Sequence, residues 1–373
     1  MKKLTHSISL LLILSSTSFA QYTTNKVVGP KNQAYLDSIK NAEYPYVLPI
    51  WGKKATQKGF KLQLPAGFSL NYLGQQSDIV INNLQVGFNN GPKYNLDEII
   101  RFNSAQATTD GLNLRPDIWL FPFLNVYGIF ARSNTSTAID AGIWIPDSSD
   151  TWHEVTSFST EAKFEATTMG FGVTPTIGVG GFFMAFDMNF TWSDIAELEK
   201  PAFAFIFDPR IGKNFTLNDK DMNLAIWAGG WRVKINTGTS GSLSLSDLFS
   251  TEDLQAKIDA SQADIETSQQ AVEEWWNGLT ELEQKNPVNE AKFNAANKAL
   301  EAAGNFFAAA EGAVNNINNS TVQYSLDKKQ KEMWNFMVGG QYQYNKRWMV
   351  RAEFGFLGSR THVIAGLQYR FGL

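Results

Sequence analysis

Apolar and polar side chains alternate one by one along several stretches of this chain. Between Met184 and Ser193, every second residue is Met, Phe or Trp, and the residues between them are small or polar. The segment from His362 to Leu373 repeats this pattern, as do residues 334–344 and 348–356. Successive side chains of a β-strand point to opposite faces, so a period of two predicts strands with one apolar and one polar face.

Further alternating segments bring the expected number of strands to about 10–12. Many apolar faces carry Trp or Tyr near a strand end, and the opposite faces carry charge, which is typical of an all-β antiparallel transmembrane β-barrel. In such a barrel, lipid covers the apolar faces and closure satisfies the backbone hydrogen bonds. A soluble β-sandwich also alternates and is the alternative fold. The further segments begin near Leu112, Leu124, Ala202 and Met222 or cover 68–73, 79–88 and 160–177. An additional strand at 60–64 would make twelve.

The lengths of the connections give the barrel a direction. Outer-membrane barrels have short periplasmic turns and longer outer loops. If the C-terminus is periplasmic, the connections at 122–123, 177–180, 214–220 and 345–346 become periplasmic turns, and all are short. The long segments 133–159 and 237–330 then fall outside. The sequence therefore predicts location in the cell outer membrane with a periplasmic C-terminus.

A different period, with alternating steps of four and three, runs through residues 251–319. This heptad pattern predicts two helices, with Asn286 as an N-cap and Pro287 as the first residue of the second helix. We therefore expect an antiparallel coiled-coil hairpin at 251–319 within an extracellular insert at 237–330. The Gly- and Ser-rich residues 238–246 predict a flexible entry. The seam residues are Leu254, Ile258, Ile265, Val272, Trp275, Leu279, Leu300, Phe307, Val314 and Ile317.

The remaining surface of the first predicted helix is acidic, with Lys257 as its single cation. A solvated face is the simpler interpretation. Contact with a basic partner, or with divalent cations at the lipopolysaccharide surface, is the alternative.

The ends and the composition of the chain add to this picture. Residues 1–20 have a basic start, an apolar run and small residues before Gln21, which predicts a secretory signal peptide. Residues 21–59 do not alternate and predict an N-terminal arm or a plug, whereas 60–236 and 331–373 form the first and last parts of the barrel. The chain has no Cys, which excludes disulfides and thiolate metal sites, and its net charge of −4 does not suggest a nucleic-acid partner.

Few residues could support catalysis. Beyond the signal peptide, the histidines are His153 and His362, and alternation places His362 on the lumen face rather than beside a nucleophile at the bilayer edge. Asp147, Asp150 and Glu154 could bind Ca²⁺, but their spacing matches no known binding loop, so a polar outer loop is the simpler interpretation. We therefore expect no catalytic, cofactor or metal site.

Charged residues of both signs lie on the predicted polar faces of the strands. A lining of one sign would favour selective conduction, whereas opposite charges interleaved in a small barrel tend to pair and fill it. The pairing interpretation is favoured. The predicted lumen residues are Arg115, Asp117, Asp187, Asp208, Arg210, Arg232, Lys234, Arg351, Glu353 and Arg370.

Two segments, Arg115 to Gly128 and Asp208 to Gly212, resemble uncharacterised outer-membrane β-barrel proteins of Gram-negative bacteria. The last strand resembles the signal read by the barrel-assembly machinery, which normally ends in an aromatic residue, although here Gly372 and Leu373 follow Phe371. The resemblance implies a fold and a location, and no activity.

Two functions agree with these patterns. The first is a non-enzymatic surface protein whose barrel presents the helical hairpin for interaction or binding. The second is a porin-like narrow channel for small solutes. The expected partners are outer-membrane lipid and lipopolysaccharide, the barrel-assembly machinery through the last strand, and an extracellular protein or polysaccharide.

Overall fold

A computed structural model describes residues 30–179, 182–217, 221–235, 238–249 and 254–373, so the predicted signal peptide lies outside the described residues. The strands are β1 (Ala66–Phe88), β2 (Tyr94–Asn95), β3 (Ile100–Phe121), β4 (Leu124–Pro146), β5 (Trp152–Val179), β6 (Phe182–Ile195), β7 (Ala202–Thr216), β8 (Asn223–Ile235), β9 (Gly238–Ser244), β10 (Thr321–Gln330), β11 (Trp334–Gln343), β12 (Trp348–Phe356) and β13 (Arg360–Phe371). The helices are α1 (Pro30–Lys40), α2 (Gly52–Gln57), α3 (Leu245–Leu248), α4 (Leu254–Gly278), α5 (Glu281–Gln284), α6 (Pro287–Val314) and the 3₁₀ turn Ile317–Asn319.

Ten of the described strands close into a barrel, in the order β1, β3, β4, β5, β6, β7, β8, β11, β12 and β13, and β13 pairs again with β1. All neighbours are antiparallel, and Leu70 of β1 lies opposite Leu114 of β3 and Leu367 of β13. A closed sheet has no free edge. The predicted closed antiparallel barrel with an inserted helical segment is confirmed, and no strand forms at 60–64.

The strands have unequal lengths, and this changes two predictions. Strand β1 has 23 residues and contains both 68–73 and 79–88, which the sequence suggested were separate strands. The predicted outer loop 133–159 consists mainly of the ends of β4 and β5, with 23 and 28 residues, joined by a short turn. At about 3.3 Å per residue, such strands extend far beyond a hydrocarbon core roughly 30 Å thick. Alternation continues past the membrane because these extensions also have one buried face.

We call the barrel end with the short turns and Leu373 the turn end, and the opposite end the extended end. At the extended end, residues 79–88 of β1 leave the barrel and pair with β10, which pairs with β9. The Ser-rich residues 238–244, predicted to be flexible, therefore form a paired strand. This small sheet, the helices α4 and α6 and the ends of β3, β4 and β5 form what we call the outer domain.

The helices of the outer domain pack on strands as well as on each other. Ile258, Ile265 and Val272 of α4 and Leu300 of α6 belong to one buried cluster with strand residues such as Ile143. The predicted helical hairpin is therefore one layer over a sheet, rather than a free-standing stalk. Of the predicted seam, Ile258, Ile265, Val272, Leu300, Phe307 and Ile317 are buried, and Leu254, Trp275, Leu279 and Val314 are partly buried.

Helix α6 begins as its sequence predicts. The side chain of Asn286 accepts a hydrogen bond from the backbone N–H of Val288, and Pro287 is the first helical residue. An N-cap side chain satisfies a backbone donor that has no partner inside the helix.

The outward face of the barrel carries an apolar belt with aromatic residues at both ends. Along β12 the belt runs from Trp348 to Phe356, roughly 26 Å at 3.3 Å per residue. Trp348 packs on Tyr369 with 4.9 Å between ring centroids, and Phe356 packs on Phe336 with 5.3 Å. So many exposed apolar side chains on one surface indicate a lipid-facing band about 25 Å tall. Exposed members include Phe68, Leu70, Leu112, Leu114, Phe130, Met169, Phe171, Ile211, Ile226, Val350, Phe354 and Leu367.

None of the helices among the described residues combines the length and the hydropathy that crossing a bilayer requires.

The described part of the N-terminal segment lies across the turn end. The backbone N–H of Val47 donates to Leu373, and that of Ile50 donates to Leu120. On another side of the barrel, Lys61 Nζ lies 3.2 Å from Asp221 Oδ1 in the connection between β7 and β8. Residues 47–61 thus cross this mouth of the barrel; the sequence predicted an arm or a plug for 21–59, of which 21–29 lie outside the described residues.

The packing of α6 on the sheet can be tested with Leu300→Ala. Leu300 is completely buried, so we expect the cavity left by its side chain to destabilise the outer domain by about 2–5 kcal/mol. Proteolysis should then cleave within residues 254–314 while the barrel keeps its heat-modifiable migration on gels. Leu282→Ala is the control, since Leu282 is 82% exposed. Equal protease resistance of the two variants would contradict the packing described here.

Candidate functional site

Six charged side chains meet inside the barrel, and we call them the ionic layer. They come from four strands, β3, β6, β7 and β12, and each occupies a position whose alternation directs it inward. All six were predicted to lie in the lumen. The members are Arg115, Asp187, Asp208, Arg210, Arg351 and Glu353.

Arg210 is the centre of this layer. Its Nη1 lies 2.7 Å from Asp208 Oδ2, 3.5 Å from Glu353 Oε1 and 3.9 Å from Asp187 Oδ2. Arg351 also pairs with Glu353, and Arg115 Nη1 lies 4.0 Å from Asp187 Oδ2. Three guanidinium groups thus face three carboxylates, so the layer has no net charge.

Aromatic and polar side chains complete the layer. The Tyr127 hydroxyl donates to Asp187, and Thr174 Oγ1 donates to the same carboxylate at 2.9 Å. Trp227 Nε1 donates to Glu353 at 3.0 Å, and Arg210 and Arg351 lie over the Trp227 ring at 5.5 and 5.2 Å. Buried charges persist only when paired and hydrogen-bonded. The layer therefore fills this section of the barrel with paired charges, although the buried atoms Arg115 Nε and Asp208 Oδ1 make no hydrogen bond.

A second charge pair lies nearer the turn end. Arg370 Nη1 is 2.9 Å from Asp117 Oδ1, and Arg370 Nε donates to the backbone oxygen of Leu64 at 2.8 Å. Asn125 and Gln368 donate to Asp117 at 2.9 and 3.0 Å. Both charged residues were predicted to line the lumen, and this pair connects the barrel wall to the segment that crosses the turn end.

Two predicted lumen residues point outward instead. In β8, the buried inward residues are Trp227, Trp231 and Val233, so Arg232 and Lys234 are on the outer face. Arg232 lies opposite Trp334 in β11, an exposed residue of the belt. The prediction assumed that charge marks the lumen, but near a strand end an outward cation can reach water or lipid headgroups.

The inward aromatic residues were not among the predicted lumen residues. Tyr127 and Trp227 occupy inward positions, although apolar faces were expected to point to lipid. Glycine provides the missing signal: Gly172 lies opposite Tyr127 on β5, and Gly339 lies opposite Trp227 on β11. A Cβ atom at either glycine would collide with the facing ring, so each glycine makes room for an aromatic side chain.

His362 is buried in the barrel wall, with its ring 4.3 Å from the ring of Trp231. Its Nδ1 lies 3.4 Å from Asn335 Nδ2. This is the lumen-wall position that alternation predicted.

Asp147, in the turn between β4 and β5, stabilises the backbone of that turn. Asp147 Oδ1 accepts hydrogen bonds from the backbone N–H groups of Ser149 and Thr151 at 2.7 and 2.9 Å. Within the described ranges, no group of three or more His, Cys, Asp or Glu side chains could hold a metal ion.

Between the ionic layer and the outer domain lies a cavity of about 830 Å³. Asp187 and Arg351 of the ionic layer contribute to its lining, which continues to Phe249 and Phe306 of the outer domain. Most of the side chains near the outer domain are apolar, and Lys328 of β10 also lines this space. The barrel thus contains a charged layer and, next to it, a largely apolar chamber.

The proteins that this chain matches are all solved structures. No family model matches the chain, and no curated protein matches it. Among solved structures, it is similar to the beta domain of the Bordetella autotransporter Brka, with 8% identity, a TM-score of 0.34 and coverage of 82% of this chain and 100% of that one. It is also similar to an outer-membrane channel from Pseudomonas putida F1, with 9% identity, a TM-score of 0.28 and coverage of 83% of this chain and 97% of that one. A third similar structure is the translocator domain of the autotransporter NalP from Neisseria meningitidis, with 8% identity, a TM-score of 0.30 and coverage of 91% of this chain and 93% of that one. The chain's own strand pairing establishes the barrel.

The stabilising role of the ionic layer can be tested with Arg210→Ala. This change leaves the carboxylates of Asp208 and Glu353 without their central cation, so we expect a loss of about 3–5 kcal/mol in the free energy of unfolding. The midpoint of the heat-induced change in gel migration reports it. Arg132→Ala is the matched control, because the Arg132–Glu165 pair is 80% and 73% exposed. If both variants lower the midpoint equally, the ionic layer does not stabilise the barrel.

Proposed function

We propose that this chain is a non-enzymatic integral outer-membrane protein whose filled barrel anchors the outer domain at the cell surface. The ionic layer is the observation that carries this proposal. Its four-strand network of paired, buried charges crosses the lumen, and the N-terminal segment crosses the turn end. A barrel with both features fits an anchor better than an open pore.

The proposed orientation places the turn end in the periplasm and the outer domain outside. Short turns and the C-terminus share one end, as in outer-membrane barrels. The signal-peptide pattern of residues 1–20 supports export.

In this proposal the outer domain presents a binding surface to an extracellular protein or polysaccharide. The face of α4 that points away from the sheet is acidic and exposed, with Asp259, Glu266, Glu273 and Glu274 among its residues. Burial of the seam residues in the domain core fixes the orientation of this face. Complementary charge on a partner would accelerate and orient binding, so a basic partner is expected.

A non-enzymatic role is supported by the positions of the two histidines. His362 packs on Trp231 and contacts Asn335 rather than a serine or a carboxylate. His153 lies at the start of β5, beside the turn whose carboxylate Asp147 caps backbone N–H groups.

A narrow channel for small solutes is the second candidate. The cavity above the ionic layer favours it, because a chamber of about 830 Å³ next to the lumen could belong to a path that opens when the layer rearranges. Conduction distinguishes the two candidates.

If the barrel is an anchor, purified full-length protein in planar bilayers should give no steady single-channel steps, because the paired charges of the ionic layer would block the water path. A general porin reconstituted in the same way controls for insertion. Steady steps from the wild-type chain would overturn the anchor proposal and support the channel.

The orientation can be tested by adding single cysteines to a chain that contains none. Glu274→Cys lies on the exposed face of α4, and Lys346→Cys lies in the exposed turn between β11 and β12. In intact cells, a membrane-impermeant maleimide should label position 274, and position 346 only after the outer membrane is permeabilised. The reverse result would show that the outer domain faces the periplasm.

A further inference from the structure

A lysine without an anionic partner lines the cavity between the ionic layer and the outer domain. Lys328 lies in β10, opposite Ile81 of β1, and its Nζ is 3.4 Å from the hydroxyl of Thr137 on β4. Among the described residues, no carboxylate forms an ion pair with it. Removal from water lowers the pKa of the Lys328 amine to about 8. A cation that loses hydration without gaining a counterion is unfavourable unless a ligand supplies the opposite charge.

Two further polar groups on the same wall lack partners. Ser77 of β1 and Gln330 of β10 line the cavity, and the buried atoms Ser77 Oγ and Gln330 Oε1 make no hydrogen bond. Gln330 is two residues from Lys328 on the same face of its strand, and it lies opposite Ile79. Unsatisfied buried polar atoms are rare in folded proteins and often mark the place of a missing partner. Together, Ser77, Thr137, Lys328 and Gln330 form what we call the polar spot.

The wall around the polar spot is mostly apolar. The same cavity is lined by Ile139 of β4, Phe158 of β5, Leu326 of β10 and Phe306 of α6. The volume of about 830 Å³ falls within the roughly 300–1,000 Å³ usual for small-molecule sites. The part of the cavity next to the outer domain is therefore mostly apolar around the polar spot, whereas its other end reaches the ionic layer. A small group of polar atoms in an apolar surrounding fixes both the orientation and the class of a ligand.

We propose that this cavity binds an amphiphile with a single carboxylate headgroup, which pairs with Lys328, and an apolar body, which occupies the space between the barrel strands and the outer domain. One ammonium group balances one negative charge. A doubly charged phosphate would keep an uncompensated charge in an apolar chamber, which is costly. A neutral alcohol would leave the ammonium unpaired. This site goes beyond the anchoring function and does not depend on whether the barrel conducts.

The test compares dodecanoate with dodecanol and dodecyl phosphate. Each is added to the full-length protein in lipid nanodiscs, and binding is measured by calorimetry and by native mass spectrometry. We expect saturable binding of dodecanoate at one site and at least tenfold weaker binding of dodecanol. Dodecyl phosphate should bind no more tightly than dodecanoate. A tenfold change corresponds to about 1.4 kcal/mol.

Variants then locate the headgroup. Lys328→Met keeps the length of the side chain and removes its charge, so we expect it to weaken dodecanoate binding at least tenfold and leave dodecanol unchanged. Lys328→Arg should retain most of the binding. Lys329→Met is the matched control, because Lys329 is the exposed neighbour in the same strand and is expected to have no effect.

Several outcomes would overturn the proposal. They are equal binding of dodecanoate and dodecanol to the wild-type protein, tighter binding of dodecyl phosphate, no saturable binding of any probe, or equal effects of Lys328→Met and Lys329→Met. The first three need no variant, so they remain decisive if Lys328→Met does not fold. Channel recordings are separate measurements, so failure of this site is distinguishable from failure of the anchor proposal.

Discussion

The two parts of the molecule both depend on the hydrogen-bond partners of β1. From Ala66 to Ser77, this strand pairs with β13 and closes the barrel, and from Ile79 onward it pairs with β10 instead. Within a membrane, closure is obligatory because lipid offers no hydrogen bonds to an open edge. Beyond the membrane that requirement ends, so the outer half of β1 can begin a second sheet. The outer domain is therefore continuous with the barrel wall rather than attached to it by a flexible linker.

The side chains that fill the interior also differ between the barrel and the outer domain. Where strands surround the lumen on all sides, long polar side chains fill the space and pair, as in the ionic layer. Where only β1, β3, β4 and β5 continue, the helices close the remaining side with apolar residues such as Phe306. The cavity lies where the charged interior of the barrel meets the apolar interior of the outer domain. Lys328 reaches it from β10, the strand that pairs with the outer half of β1.

The period of two predicted the closed barrel, and the heptad steps with Asn286 and Pro287 predicted the helices, because both signals come from local geometry. The predictions that were wrong concerned features that depend on contacts between distant parts of the chain. The residues between Leu73 and Ile79 are polar or Gly, so the apolar alternation is interrupted where β1 changes partner, and one strand was interpreted as two. Arg232 could be assigned to a face only by knowing that Trp227 and Trp231 fill the lumen. The polar spot could not be predicted, since Ser77 and Lys328 are far apart in the chain and meet only through strand pairing.

The pairing of β1 with late strands also determines the order in which the structure can form. Asn83 and Asp327 hydrogen-bond although they are 244 positions apart in the chain, and β13 pairs with the inner half of the same strand. Contacts between distant segments form slowly because a long loop must close first. Until the last strands arrive, the edge of β1 that pairs with β13 and β10 stays open, and the apolar sides of α4 and α6 lack part of their sheet. A nascent chain of this design would therefore depend on being held soluble from the synthesis of its first strand to that of its last.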